Sequence, residues 1–212
     1  EKLESDGHIV RERGGAFSKS VPQQVQSLSL QHLDNMDKKA AIGRAAAALV
    51  SDGESIILDA GSTTTEIAKG LVGCQGLKVT TNALNIAFIL GAEPTNAIHV
   101  TGGEFKAPTL SVSGEKAGAF FDNIYAQKLF LAAGGISFDA GLTYPGLNDL
   151  YVKKAMIKSA ARVYLVVDST KIGKVSFASL GGVDLIQTLI TDPGITDDAR
   201  LAFEKQGVEV IL

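Results

Sequence analysis

The chain has 212 residues, 45% of them hydrophobic, a formal net charge of −3 and a single cysteine, Cys74. That size accommodates one large α/β domain or two small ones around a buried core, and the slightly acidic balance gives the body no nucleic-acid-binding charge of its own. One cysteine excludes an internal disulfide framework and a cysteine-rich zinc site. No apolar run reaches the roughly 18 residues that span a bilayer, and the charged first residues do not read as a signal peptide, so a cytoplasmic location is expected.

In chain order, residues 1–17 begin in mid-pattern and carry Arg11 and Arg13 in a short basic turn ahead of Gly14 and Gly15. Residues 18–35 are polar, glutamine-rich and weakly patterned, and read as a linker into the first core helix. This places a linker at 18–37 and the main domain at 38–212. The alanine-rich stretch 38–50, with an Ile42, Leu49 stripe, predicts that first helix. Residues 55–59 (SIILD) predict a buried strand that stops at Asp59.

A small-residue loop with Gly61, Ser62, Thr63, Thr64 and Thr65 follows, and a helical pattern covers 66–71. Thr63 and Glu66 fit a capping box, in which each satisfies an amide of the helix start. The same loop aims backbone amides and the positive end of a helix at one point, which in physical terms is an anion site. The residues by themselves leave both readings open. The loop is neither a P-loop, since it contains no lysine, nor a dinucleotide fingerprint.

Residues 77–81 predict the next strand, with Thr81 and Asn82 at its end and a helix at 83–90 that Asn82 can cap. A strand at 97–101 runs into Gly102 and Gly103, and 102–114 reads as a small hairpin. A strand at 128–133 precedes Gly134 and Gly135, and a helix is expected at 149–161. Glycines in such places allow a ligand close to the backbone or simply make a turn. The run VYLVVD at 163–168 is a continuous apolar, β-branched strand ending in Asp168. Asp168 can accept from sugar hydroxyls and Lys171 can reach a phosphate, although an Asp and a Lys in an exposed turn are ordinary. Strands at 187–192 and 208–212 and a helix at 197–206 complete the chain.

Strands alternating with helices predict right-handed βαβ units and a mostly parallel, Rossmann-like α/β sheet flanked by helices. Ligands in such sheets sit outside the carboxyl ends of the strands, here Asp59, Thr81, Thr101, Ala133 and Asp168. His8, His32 and His99 lie far apart without cysteine partners, so no metal site is expected, and nothing calls for a cofactor.

Leu3, Gly7, Arg11 to Arg13 and Gly14 to Ala16 closely resemble the end of a winged helix-turn-helix in the DeoR family of bacterial repressors. The resemblance continues in order through Lys39 to Gly43, Asp59 to Thr64, Val79 to Asn85, Gly102-Gly103, Gly141 to Thr143, Lys154 to Met156, Asp168 to Lys171 and Ile190 to Asp192. It implies that residues 1–17 are the remnant of a DNA-binding domain whose larger part precedes them, with Arg11 and Arg13 near DNA phosphates. It further implies that 38–212 is an effector-sensing domain of the ribose-5-phosphate isomerase/CoA-transferase type, with a small hairpin insertion.

The implied effector is a phosphorylated sugar or related metabolite. On this resemblance, Ser62, Thr63 and Thr64 with the loop amides hold phosphate, Lys171 and Lys39 add positive charge, and Asp168 and Asn82 read hydroxyls. Asp59, Gly61, Thr65, Thr81, Gly102, Gly103 and Gly135 complete the expected contacts. The implied partners are that effector, operator DNA and further copies of the chain in a dimer or tetramer.

The isomerases carry paired aspartates and a glutamate base. The corresponding stretches here, Leu131 to Gly135 and Val152 to Lys154, contain no carboxylate. Moving a proton between two sugar carbons needs a base, so a non-enzymatic sensor is expected. An active phosphosugar isomerase using Asp139 or Asp149 is the alternative, and a domain that only oligomerises is a third reading.

Overall fold

The computed structural model describes residues 9–12, 15–18 and 34–212, the side chains of 9–18 and of Pro108 excepted. The chain divides into two compact units, Glu1–Asp34 and Asn35–Leu212. In the first, β1 (Ile9–Glu12) pairs antiparallel with β2 (Gly15–Ser18), Arg11 opposite Ala16. Arg13 and most of the expected linker lie outside the described residues.

The second unit is built on a seven-stranded, wholly parallel sheet. Its members are β3 (Ser55–Leu58), β4 (Lys78–Thr81), β5 (Ala97–Val100), β8 (Ala126–Leu131), β11 (Ala160–Val166), β13 (Thr188–Ile190) and β14 (Glu209–Ile211), in the order β14-β13-β11-β8-β3-β4-β5. Helices cover both faces, and the central strands are therefore apolar on consecutive residues rather than on alternate ones. Ile56 and Leu58 enter one core while Ile57 enters the other; Phe130 parts from Leu129 and Leu131 in the same way.

The first core is closed by α1 (Met36–Ala47), α2 (Ser62–Gly70) and α3 (Leu84–Leu90) through Ile42, Ile67, Ile86 and Leu90. The second is closed by α4 (Glu115–Ala119), α5 (Leu147–Lys158) and α6 (Asp197–Lys205), with Ala117, Val152, Met156 and Phe203. Each large side chain fully buried this way contributes on the order of 1.5–3 kcal/mol before conformational entropy is set against it. No described helix is long and apolar enough to cross a membrane.

The predicted hairpin is present as β6 (Glu104–Lys106) pairing antiparallel with β7 (Ser111–Ser113). A second insertion, β9 (Gly135–Ser137), β10 (Gly141–Tyr144) and β12 (Ala178–Gly181), forms a small antiparallel sheet that the sequence pattern does not announce. Its segments GIS, GLTY and ASLG contain no continuous apolar run of the kind that marks the buried parallel strands.

Several boundaries move. α1 begins at Met36, two residues before the expected start. α2 begins at Ser62 rather than 66, because threonines of low helix propensity occupy its first turn. The helix expected to run to 161 stops at Lys158; Ala160 already pairs with Ala126 in the sheet.

Candidate functional site at the topological switch

From β3 the chain winds outward through β4 and β5, then returns to β8 on the other side of β3 and winds outward the opposite way. The seam between β3 and β8 is therefore the switch point, outside which α/β sheets open a crevice. Asp59 stands at the end of β3 and Ala132 just past the end of β8. One carboxylate oxygen of Asp59 accepts the Ala132 amide at 3.0 Å, and the other accepts its neighbour Ala60 N–H at 2.7 Å.

Lys153 of α5 completes the set as a buried ion pair with Asp59. The lysine ammonium lies 5.5 Å from the centre of the Tyr144 ring, and the Tyr144 hydroxyl donates to the Ala132 carbonyl at 2.7 Å. Burial pushes the Asp59 carboxyl up, while Lys153 and the two amides pull it back. Burial, with the Asp59 and Asp149 carboxylates behind it, pushes the Tyr144 phenol well above its ordinary value, so the phenol stays a donor at neutral pH. Asp59, expected among the effector contacts, is wholly buried and brackets the loop from beneath.

The loop itself departs from the capping-box expectation. Gly61 is the N-cap residue and no side chain caps α2. The Thr64 and Thr65 hydroxyls donate to the Gly61 carbonyl at 2.9 and 2.7 Å, and Asn85 Nδ2 donates to the Thr65 hydroxyl at 2.7 Å. Glu66 pairs with Lys69 at 2.6 Å instead of reaching back. The box fails because the helix starts earlier, which puts Thr63 inside the first turn. Thr64 and Thr65 thus tie down a carbonyl, leaving the Ser62–Thr64 amides without a side-chain acceptor among the described residues, at a positive helix end.

Asn82 does not cap α3 either. Its Oδ1 accepts Ala60 N–H at 3.0 Å and its Nδ2 donates to the Val112 carbonyl at 3.0 Å, which ties the loop to the hairpin. The Thr81 hydroxyl accepts Ala83 N–H at 3.0 Å. Gly103, at φ +135°, would place a Cβ 2.6 Å from the Ser113 carbonyl, and a Cβ on Gly135 would lie 2.4 Å from that of Lys174. These two glycines serve chain packing, whereas Gly102 has open space around it.

At the end of β11, Asp168 is buried and accepts both the amide (3.1 Å) and the hydroxyl of Thr170 across a single turn, Ser169–Lys171. Lys171 is half-buried on that turn, and Lys39 is buried within α1. Beside it, Asp192 accepts the Ser169 amide (2.7 Å) and hydroxyl (2.9 Å) and pairs with Lys38 at 3.1 Å. Burial raises the Asp192 carboxyl, but the Ser169 and Gly194 amides with Lys38 outweigh it and hold it below its ordinary value.

The two carboxylates offered as isomerase bases are poorly placed for that work. Asp139 is exposed, and Asp149 is engaged by Lys106 of the hairpin at 2.7 Å. Sequence reasoning passed over Lys153, Tyr144, Asn85, Lys38, Asn35 and Asp192. For Lys153 a signal exists: it shares the inward face of α5 with Val152 and Met156, where a lysine without a buried partner would be costly.

Residues 34–193 match the family described as the DeoR C terminal sensor domain. The HTH-type transcriptional repressor GlcR of Bacillus subtilis is 32% identical over 213 residues, covering the whole of this chain and 81% of that protein. Among solved structures, the probable sor operon regulator of Shigella flexneri superposes with a TM-score of 0.52 at 10% identity, over 86% of this chain and 99% of that one. Ribose 5-phosphate isomerase A of Methanocaldococcus jannaschii gives 0.48 at 16% identity, over 66% and 55%.

Proposed function

Since this chain belongs to the DeoR family of transcriptional regulators and carries its sensor domain, we propose that the switch-point crevice binds a phosphorylated sugar or related phosphorylated metabolite. The observation that carries this reading is the uncapped start of α2. The Thr64 and Thr65 hydroxyls point back to the Gly61 carbonyl, and its first amides have no side-chain acceptor among the described residues. A dianionic phosphate supplies what that helix end lacks. Lys171 adds charge from the end of β11, beyond β8 in the sheet, and Asp168 reads hydroxyls.

Asp59, Asn82 and Thr81 act beneath the ligand. Asp59 and Asn82 fix the Ala60 amide and Thr81 fixes that of Ala83, so the loop is formed before the phosphate arrives. The strand-end carboxylate is neutralised by Lys153, so a base is lacking where isomerisation would need one. Binding without turnover then serves regulation. The regulator works as a homo-oligomer in the cytoplasm, and its helix-turn-helix, of which residues 1–17 form the end, contacts operator DNA with Arg11 and Arg13 near phosphates.

Calorimetry with sugar phosphates and the matching free sugars tests the reading. Heat that requires the phosphate and disappears in Lys171→Met supports it. Equal binding of the free sugar, or none by any phosphate, contradicts it.

A further inference from the structure

The turn that ends β11 is held from one side by the very start of the sensor unit. Asn35, the first residue of that unit, directs its side-chain amide at Asp168 Oδ1 and Thr170 Oγ1, each 3.4 Å away. Three residues on, Lys38 donates to the Ser169 hydroxyl at 2.8 Å and pairs with Asp192 at 3.1 Å. Asp192 in turn accepts the amide and hydroxyl of Ser169. The cluster is tight: a Cβ on Gly194 would lie 2.5 Å from Ser169 Oγ, 2.7 Å from Asp192 Oδ2 and 3.0 Å from Lys38 Nζ.

Asn35 is the weak member. Its backbone is left-handed (φ 58°, ψ 34°), a conformation unfavourable for residues other than glycine though tolerated by asparagine. Its two side-chain bonds are long, while the Lys38 and Asp192 contacts are short and charge-assisted. The Asn35 carbonyl also accepts Lys39 N–H at 3.0 Å, so the first hydrogen bond of α1 rests on it.

We propose that Asn35 and Lys38 are positioning residues that couple occupancy of the Asp168–Lys171 turn to the point where the chain enters the sensor domain. This rests on the phosphosugar reading of that turn. A ligand hydroxyl that donates to Asp168 Oδ1, which already accepts from Thr170, displaces the longer Asn35 contact from that oxygen. The long Asn35 contacts yield first, the Lys38–Asp192 pair keeps α1 docked, and the Asn35–Lys39 turn that opens α1 loosens. The coupling is a difference in hydrogen bonding between two states of one turn, the form that any ligand-driven shift must take.

Amide exchange at Lys39, read by NMR on the 212-residue chain, tests the proposal in two arms. In the unliganded protein, Lys38→Met and Asp192→Asn should each speed Lys39 exchange about tenfold while β3 amides stay unchanged, and the double variant should add little further. In the second arm, glucose 6-phosphate should speed Lys39 exchange in the wild type, while inorganic phosphate, which has no sugar hydroxyl, should not. Unaltered Lys39 exchange in the unliganded variants overturns the coupling, as does unaltered exchange in protein that calorimetry shows to be occupied by glucose 6-phosphate. A calorimetric blank with both probes and a panel of other sugar phosphates removes the phosphosugar reading, and the unliganded arm still decides the coupling.

Discussion

Lys153 and Asp59, 94 positions apart, form a buried ion pair across the seam where the sheet reverses its winding. A buried charge whose partner is removed costs far more than a pair removed together. Lys153→Met should therefore destabilise the protein by about 3–5 kcal/mol in urea unfolding. Adding Asp59→Asn to it should recover a large part of that loss. Simple additivity of the two changes would mean that the pair is not energetically coupled.

Asp192 gives a pH signature. Its carboxyl is held low in the folded state, against about 3.9 in the unfolded chain. The resulting stability is fully present above the unfolded value and is lost as pH falls through the folded one. At pH 7, Asp192→Asn should cost about 1.5–3 kcal/mol, the range of a charge-assisted hydrogen bond. The gap between variant and wild type should narrow as pH falls below the unfolded value of about 3.9 and close once it passes the lowered folded value. A gap that stays constant with pH contradicts this origin.

The uncapped start of α2 predicts opposing effects of one substitution. Ser62→Asp places a carboxylate at the first helical position, where it should stabilise the fold by about 0.3–1 kcal/mol through the helix end. The same carboxylate should weaken phosphate-dependent binding at least tenfold by occupying the anion's place. Denaturation and calorimetry on one sample read both effects, and a variant that binds as tightly as the wild type removes the phosphate from this loop.

Lys171 has no role in the packed core, so Lys171→Met should leave unfolding within about 0.5 kcal/mol of wild type. It should weaken binding of a sugar phosphate most at low salt, and the difference should shrink as added salt screens the charge. An equal loss at all salt concentrations argues against a direct charge contact.

The layered fold was legible because buried parallel strands are long apolar runs. VYLVVD at 163–168 and SIILD at 55–59 point to strands whose carboxyl ends do gather at one edge of the sheet. The β9–β10–β12 sheet was not legible, since its segments GIS, GLTY and ASLG mix glycine and hydroxyl residues with apolar ones and form no continuous apolar run. Within the site, the pattern placed a loop after β3, but the capping-box part of its reading fails. Thr63 and Glu66 have capping-box spacing, yet the helix begins at Ser62 and the hydroxyls of Thr64 and Thr65 turn to a carbonyl.

Lys153 was missed for a different reason. Its partner lies 94 residues away, and only the topology brings them together. Asn35 falls in the stretch that reads as a polar linker and Lys38 reads as the first residue of an alanine-rich helix; neither shows its contacts in the sequence, because their partners, Asp168, Ser169 and Asp192, belong to distant strand ends.

The central claim, that a phosphate sits on the first amides of α2, is tested most directly by an NMR titration of the labelled chain with sugar phosphates. The Ser62, Thr63 and Thr64 amide resonances should shift saturably, with Lys171 following and the free sugars without effect. Resonances that stay in place at every concentration of every phosphate, or new sugar signals showing turnover to an isomer, would contradict it.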